Sequence, residues 1–238
     1  MSQMGIQPDS QNLSDPTAML ISPAVPPAQL QLDQSLRLGI LASGNGSNFE
    51  AVAQAIADRQ LNAQIQVLIY NNPGAKVISR AERWGVPPVL LNHREFPRRE
   101  DLDRTIAEVL QQYQVDLVVM AGWMRIVTQV LIDAFPNKLI NIHPSLLPSF
   151  RGTRAVEDAL EAGGKISGCS VHLVPVEVDR GPILIQAAVP VLPKDTPETL
   201  HARIQVQEHK ILPQAIALAA KMNSQATGCR EAIGSGIA

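Results

Sequence analysis

Apolar residues in this chain arrive in short runs, separated by stretches in which they recur every three or four positions. The runs at 37–42, 64–70, 89–91, 116–121 and 139–143 read as strands, and 47–59, 75–84 and 100–112 between them read as helices. The run at 116–121 is almost continuously apolar, the pattern of a strand covered on both faces. Strand–helix alternation of this kind predicts an α/β fold: an open, mostly parallel twisted sheet flanked by helices. After position 143 the rhythm changes. A helix is expected over 152–162, ending at Gly163-Gly164, followed by strand-like runs at 166–174 and 183–191. Two such runs joined by one loop predict a late antiparallel hairpin. A long helix interrupted by proline, 196–222, closes the pattern, and no segment repeats another.

The two ends read differently. Residues 1–35 are rich in Gln, Ser, Pro and Asp and contain no Lys or Arg, so they are expected to form a disordered N-terminal extension. They lack both the positive start of a secretory signal and the arginines of a mitochondrial presequence. Residues 223–238 hold scattered Gly, Ser and Ala and are expected to be a flexible tail, which leaves 36–222 as a single domain. Lys and Arg number 20 against 22 Asp and Glu, a balance that gives bulk nucleic-acid binding no electrostatic support. The apolar runs are too short to span a bilayer. Cys169 and Cys229 are lone thiols, suited to a reducing, cytoplasmic compartment. His143, His172, Asp179 and His209 have no metal-ligand spacing, so no metal is expected.

The chemistry concentrates in two places. In the strand at 139–143 a period of two puts Asn141 and His143 on one face, at the end where open α/β sheets bind ligands. An amide there can donate to a developing oxyanion and an imidazole can move a proton, the outline of an acyl-transfer site. Ser145 has no Gly-x-Ser-x-Gly elbow around it and is a poor nucleophile candidate. Gly44-Asn45-Gly46-Ser47-Asn48 joins the first strand to the first helix, where backbone amides and the helix dipole make an anion site. Phe49 replaces the third glycine of a dinucleotide fingerprint, and no Lys follows the glycines as a phosphate-loop ATPase would require. A plain tight turn explains the glycines taken alone.

Asn141-Ile142-His143-Pro144-Ser145-Leu146-Leu147-Pro148, with Phe150-Arg151-Gly152 after it, resembles the central motif of the folate-dependent formyltransferases, above all those acting on glycinamide ribonucleotide. The resemblance runs from about residue 37 to 218 and includes Asp179-Arg180-Gly181-Pro182. It implies the formyltransferase fold and transfer of a formyl group from 10-formyltetrahydrofolate to the amine of glycinamide ribonucleotide, a step of purine synthesis. By position it implies Asn141, His143 and Asp179 as the catalytic trio, with Asp179 favouring imidazolium at His143 and handling protons, through a bound water. It implies Gly46, Ser47 and Asn48 at the substrate phosphate, and Gln205 and Glu208 at the ribose and amine. It further implies a folate site of Arg99, Met124, Arg125, Ile126, Val127, Asn141, Pro175, Val176, Glu177, Val178 and Asp179, with His172 as packing nearby. Arg154 departs from the family pattern. The expected partners are small molecules, with neither nucleic acid nor membrane, and the chain is expected to act as a monomer or homodimer.

Relatives with the same trio do other work. A formyltetrahydrofolate deformylase usually carries a regulatory domain ahead of the catalytic one, and 35 polar residues are too few for it. Methionyl-tRNA formyltransferase adds a C-terminal tRNA domain, where this chain shows a helix and tail. A non-catalytic phospholigand-binding module accounts for the glycine-rich turn but leaves Asn141, His143 and Asp179 without a task.

Overall fold

A computed structural model describes residues 20–26, 30–32 and 34–234, the last ten as backbone. The predicted alternation is present. Strands β2 (Leu36–Ala42), β3 (Ala63–Tyr70), β4 (Pro88–Leu90), β5 (Leu117–Met120) and β6 (Leu139–His143) are joined through helices α1 (Ser47–Ala57), α2 (Val77–Arg83), α3 (Arg99–Gln112) and α4 (Gln129–Ala134). Helix α5 (Ala155–Glu161) leads to the hairpin β7 (Ile166–Leu173) and β8 (Ile183–Pro190), and α6 (Pro197–Gly234) follows. The described strands form one sheet in the order β1-β8-β7-β6-β5-β2-β3-β4, where β1 is Ile21–Ser22. Pairing is parallel from β6 through β5, β2 and β3 to β4, and antiparallel from β6 through β7 and β8 to β1.

Period-two alternation divides the interior into two cores. Leu38, Ile40, Leu117, Val119, Ile140 and Ile142 face α1, α2 and α6, while Leu41, Val118, Met120 and Leu139 face α3 and α4. The strands are therefore buried on both faces, as the continuous run at 116–121 required. Asn141 and His143 take the alternate positions to Ile140 and Ile142, so they share the opposite face, where the sheet ends.

Two readings of the termini need correction. The extension expected to be disordered over 1–35 is structured in part: Ile21 and Ser22 pair with Ala187 and Gln186, and the Leu20 carbonyl accepts from the Ala188 N–H. Ile21, Val25, Leu30 and Leu32 pack against the core, so a few apolar anchors within a polar composition suffice to dock the segment. The remainder of that expectation falls on residues 1–19, 27–29 and 33, outside the described ones. At the other end α6 continues through Pro213 and past residue 223 to Gly234, without the expected interruption. Ala, Met, Gln, Glu and Arg after 217 are good helix formers and outweigh the scattered Gly and Ser.

Candidate active site

The chain leaves β2 for β3 and β4 on one side, then crosses back to place β5 on the other. Strand order reverses between β2 and β5, and the loops beyond their carboxyl ends diverge to open a crevice, as at the switch point of any doubly wound sheet. A cavity of about 640 Å³ lies there, walled by 43–48 after β2, 120–127 around the end of β5, 141–144 from β6, the β7–β8 loop and the start of α6.

At its anion end, Gly46 caps α1 in a left-handed conformation (φ 74°), and no side chain caps that helix. The first N–H groups of α1 therefore remain available to an anion. A Cβ on Gly46 would fall 2.3 Å from Val77 Cγ2 and 2.6 Å from Val77 Cβ. Gly46→Ala is thus expected to cost about 2–4 kcal/mol from the left-handed backbone and the overlap together. A urea midpoint equal to the parent's would contradict this account of the turn.

The side chains around the turn point inward. Gln205 Nε2 donates to Ser47 Oγ at 2.9 Å, and Asn48 Nδ2 donates to Glu208 Oε2 at 2.9 Å. Burial pushes the Glu208 carboxyl above its ordinary range, with Asn48 and His201 opposing that shift. The folded protein then holds a proton that the unfolded chain has released, so this group's contribution to stability falls as pH rises through the raised value. Glu208→Gln should gain stability over the parent as pH rises above the ordinary carboxylate range; urea midpoints whose difference stays flat as pH rises there would contradict the assignment.

On the opposite wall, the loop after β5 is pinned at both ends. Met124 N–H donates to Ser43 Oγ at 2.9 Å, and Thr128 N–H donates to Asp103 Oδ2. Between these pins Met124 and Ile126 are more than half exposed, turned towards the cavity, while Trp123 is buried in the core. Apolar side chains with free backbone groups beside them suit a flat heterocycle. Arg125 lines this cavity and also a smaller one of about 110 Å³ with His93, Phe96, Arg98 and Arg99. Arg99 therefore lies one compartment away from the other folate candidates. Pro175, Val176, Val178 and Asp179 are on the main wall, but Glu177 is not: it is exposed and pairs with Arg180.

The trio meets at the centre. Asn141 and His172 face each other across β6 and β7. Asp179 reaches them from the β7–β8 loop, whose close approach depends on Gly181, because a Cβ there would lie 1.7 Å from the Leu173 carbonyl oxygen. Asp179 itself is left-handed (φ 53°), a conformation that Asp and Asn tolerate better than other side chains. Its Oδ2 accepts from the Gly152 N–H at 3.0 Å and lies 3.6 Å from His143 Nδ1, and its Oδ1 lies 3.5 Å from His172 Nε2. Burial alone would raise this carboxyl, but the His172 and Gly152 hydrogen bonds and the two imidazoles outweigh it and hold Asp179 below its usual range.

Hydrogen-bond roles follow from the fixed partners. His143 Nε2 lies 2.8 Å from the Phe150 carbonyl oxygen, which only accepts, so Nε2 carries a hydrogen. A second proton on that ring then sits on Nδ1, beside Asp179. His172 Nδ1 likewise donates to the Leu173 carbonyl at 2.8 Å, and its Nε2 lies between Asn141 Nδ2 at 3.2 Å and Asp179 Oδ1 at 3.5 Å. The Asn141 amide is held there on the cavity wall. Two N–H donors and an ionised carboxylate around one point can polarise a carbonyl and shuttle a proton.

Residues 36–216 match the Formyl transferase family. The chain belongs to the formyl transferase family. Over 189 residues it is 38% identical to phosphoribosylglycinamide formyltransferase of Bacillus subtilis, covering 79% of this chain and 97% of that protein. It is 42% identical over 184 residues to the human trifunctional purine biosynthetic protein adenosine-3, covering 77% of this chain but 18% of that much longer protein. The chain thus spans about a fifth of the length of the trifunctional relatives that it matches. Among solved structures, glycinamide ribonucleotide transformylase 1 of Symbiobacterium toebii superposes with a TM-score of 0.78 at 44% identity, over 80% of this chain and 90% of that one. The fold is the one expected of the family.

Sequence reasoning placed most of the cavity wall but undervalued His172, expected as packing and found between Asn141 and Asp179. Cross-strand register puts it opposite Asn141, and register is not visible in one strand's pattern. The Phe150 carbonyl, the Gly152 N–H, Ser43 and Asp103 were missed because each acts through a backbone group or holds one. Arg154, the noted departure, pairs with Glu161 at the surface. Among the described residues no group of three or more His, Cys, Asp or Glu is arranged to hold a metal ion, and no helix is long and apolar enough to cross a membrane.

Proposed function

We propose that this formyltransferase moves the formyl group of 10-formyltetrahydrofolate to the amine of 5-phosphoribosylglycinamide, giving formylglycinamide ribonucleotide and tetrahydrofolate. The observation that carries the reading is the position of Asn141, His143 and Asp179 between an uncapped anion-binding turn and an apolar loop, in one cavity. An acceptor with its phosphate at 46–48 and its ribose and amine along Gln205 and Glu208 would meet a folate lying on Met124–Val127 at the trio.

The acceptor nitrogen attacks the formyl carbon, a C–N bond forms, and the carbonyl π electrons move to oxygen. Asn141 Nδ2–H and His143 Nδ1–H donate to that oxyanion, a contribution worth roughly 3–4 kcal/mol for a well-placed amide donor. The attacking nitrogen loses its proton to Asp179, directly or through one water. As the oxyanion collapses to the product formamide and the bond from the formyl carbon to the folate nitrogen breaks, that nitrogen takes a proton from His143, and Asp179 returns to His143 the proton it took from the attacking nitrogen. No covalent enzyme intermediate is needed. Arg125, with Arg99 beyond it, offers cations to the acidic end of the folate. The reaction needs only small-molecule partners; we place it in the cytoplasm, with the chain a monomer or homodimer.

A donor labelled with ¹³C in its formyl group tests the acceptor. The label is expected in formylglycinamide ribonucleotide. Label recovered as formate in the presence of the acceptor would instead mean hydrolysis.

A further inference from the structure

Positions 201, 205 and 208 fall on one face of α6, and all three line the main cavity. Gln205 and Glu208 are engaged with Ser47 and Asn48, whereas the exposed His201 ring makes no hydrogen bond among the described residues. The anion end is short of charge. A phosphate monoester carries close to two negative charges near neutral pH, against about half a positive charge at a helix N-terminus. Among the described residues the only Lys or Arg on the cavity wall is Arg125, on the apolar loop across the site. Arg80 is near the turn, but its guanidinium is taken by the Asn45 carbonyl and by Glu50. His201 lies one helical turn before Gln205, which touches Ser47, the residue that opens α1.

We propose that His201 is a further substrate-binding residue, whose ring donates to the phosphate of the acceptor and so favours phosphorylated over unphosphorylated acceptors. The inference rests on the function proposed above. The titratable groups that line the cavity with it are Glu198 and Glu208 on its own helix, Glu157 from α5, and Asp179, His143 and His172. Glu157 and Glu198 would repel a dianion in the absence of a donor here, which makes the position decisive for phosphate affinity.

His201→Ala is expected to raise the KM for glycinamide ribonucleotide about five- to tenfold, the effect of one partly exposed charged hydrogen bond. kcat and the KM for the formyl donor should stay within about twofold. His201→Arg, which places a donor at the same position, should recover most of the lost affinity. Calorimetric titration of the enzyme with inorganic phosphate should weaken in His201→Ala by a similar factor, whichever acceptor the enzyme uses. If turnover with glycinamide ribonucleotide were absent while that loss remained, the acceptor would be wrong and the His201 site would stand. Equal phosphate affinity in parent and variant, or a raised KM with unchanged phosphate affinity, would overturn the proposal.

Discussion

Asp179→Asn is expected to lower kcat by about 10²–10⁴-fold while the enzyme stays folded and the KM of each substrate moves by no more than a few-fold. The substitution is chosen for its backbone: residue 179 is left-handed, and Asn is among the few side chains that accept this conformation. Asn keeps the size of the side chain and an oxygen for the Gly152 N–H, which Asp179 now accepts at 3.0 Å. It cannot take up a proton. The parent carboxyl can, and it is held ionised against its own burial by His172, Gly152 and the nearby imidazoles. Single-turnover rates with a saturating acceptor isolate the chemical step. A variant within about threefold of the parent would remove Asp179 from the proton pathway.

His143→Ala should lose a comparable factor, because one side chain supplies both a donor to the oxyanion and a proton near the leaving nitrogen. The loss should fall on kcat, since the ring meets negative charge only as the tetrahedral species forms. The variant also strips a hydrogen bond from the Phe150 carbonyl and leaves a space in a buried site, a stability cost of about 1–3 kcal/mol. Circular dichroism and a urea midpoint separate that cost from catalysis. Retained structure with near-parent kcat would exclude His143 from the reaction.

Much of this site was legible because it rests on local periodicity. Period two in β6 places Asn141 and His143 together without any knowledge of neighbours, and a glycine turn between a strand and a helix marks an anion site. Contacts across the chain were less visible. Nothing near residue 172 says that it lies opposite residue 141; that follows from the register of β6 against β7. Asp179 entered through its resemblance to a family motif, and the structure supplies the physical reason: Gly181 lets its loop approach the Leu173 carbonyl closely. Glu177, three residues from its Arg180 partner, was drawn into the site by its motif, yet it stays in solvent. Strand β1 was hidden by composition, because a pairing of two residues leaves almost no pattern in a polar, proline-rich segment.

The most direct test of the account mixes the enzyme with 10-formyltetrahydrofolate, with and without glycinamide ribonucleotide, and follows tetrahydrofolate. Release that requires glycinamide ribonucleotide is the predicted result, since in the proposed reaction the attacking group is the acceptor amine. Release at the same rate without it would contradict the account and make water the acceptor.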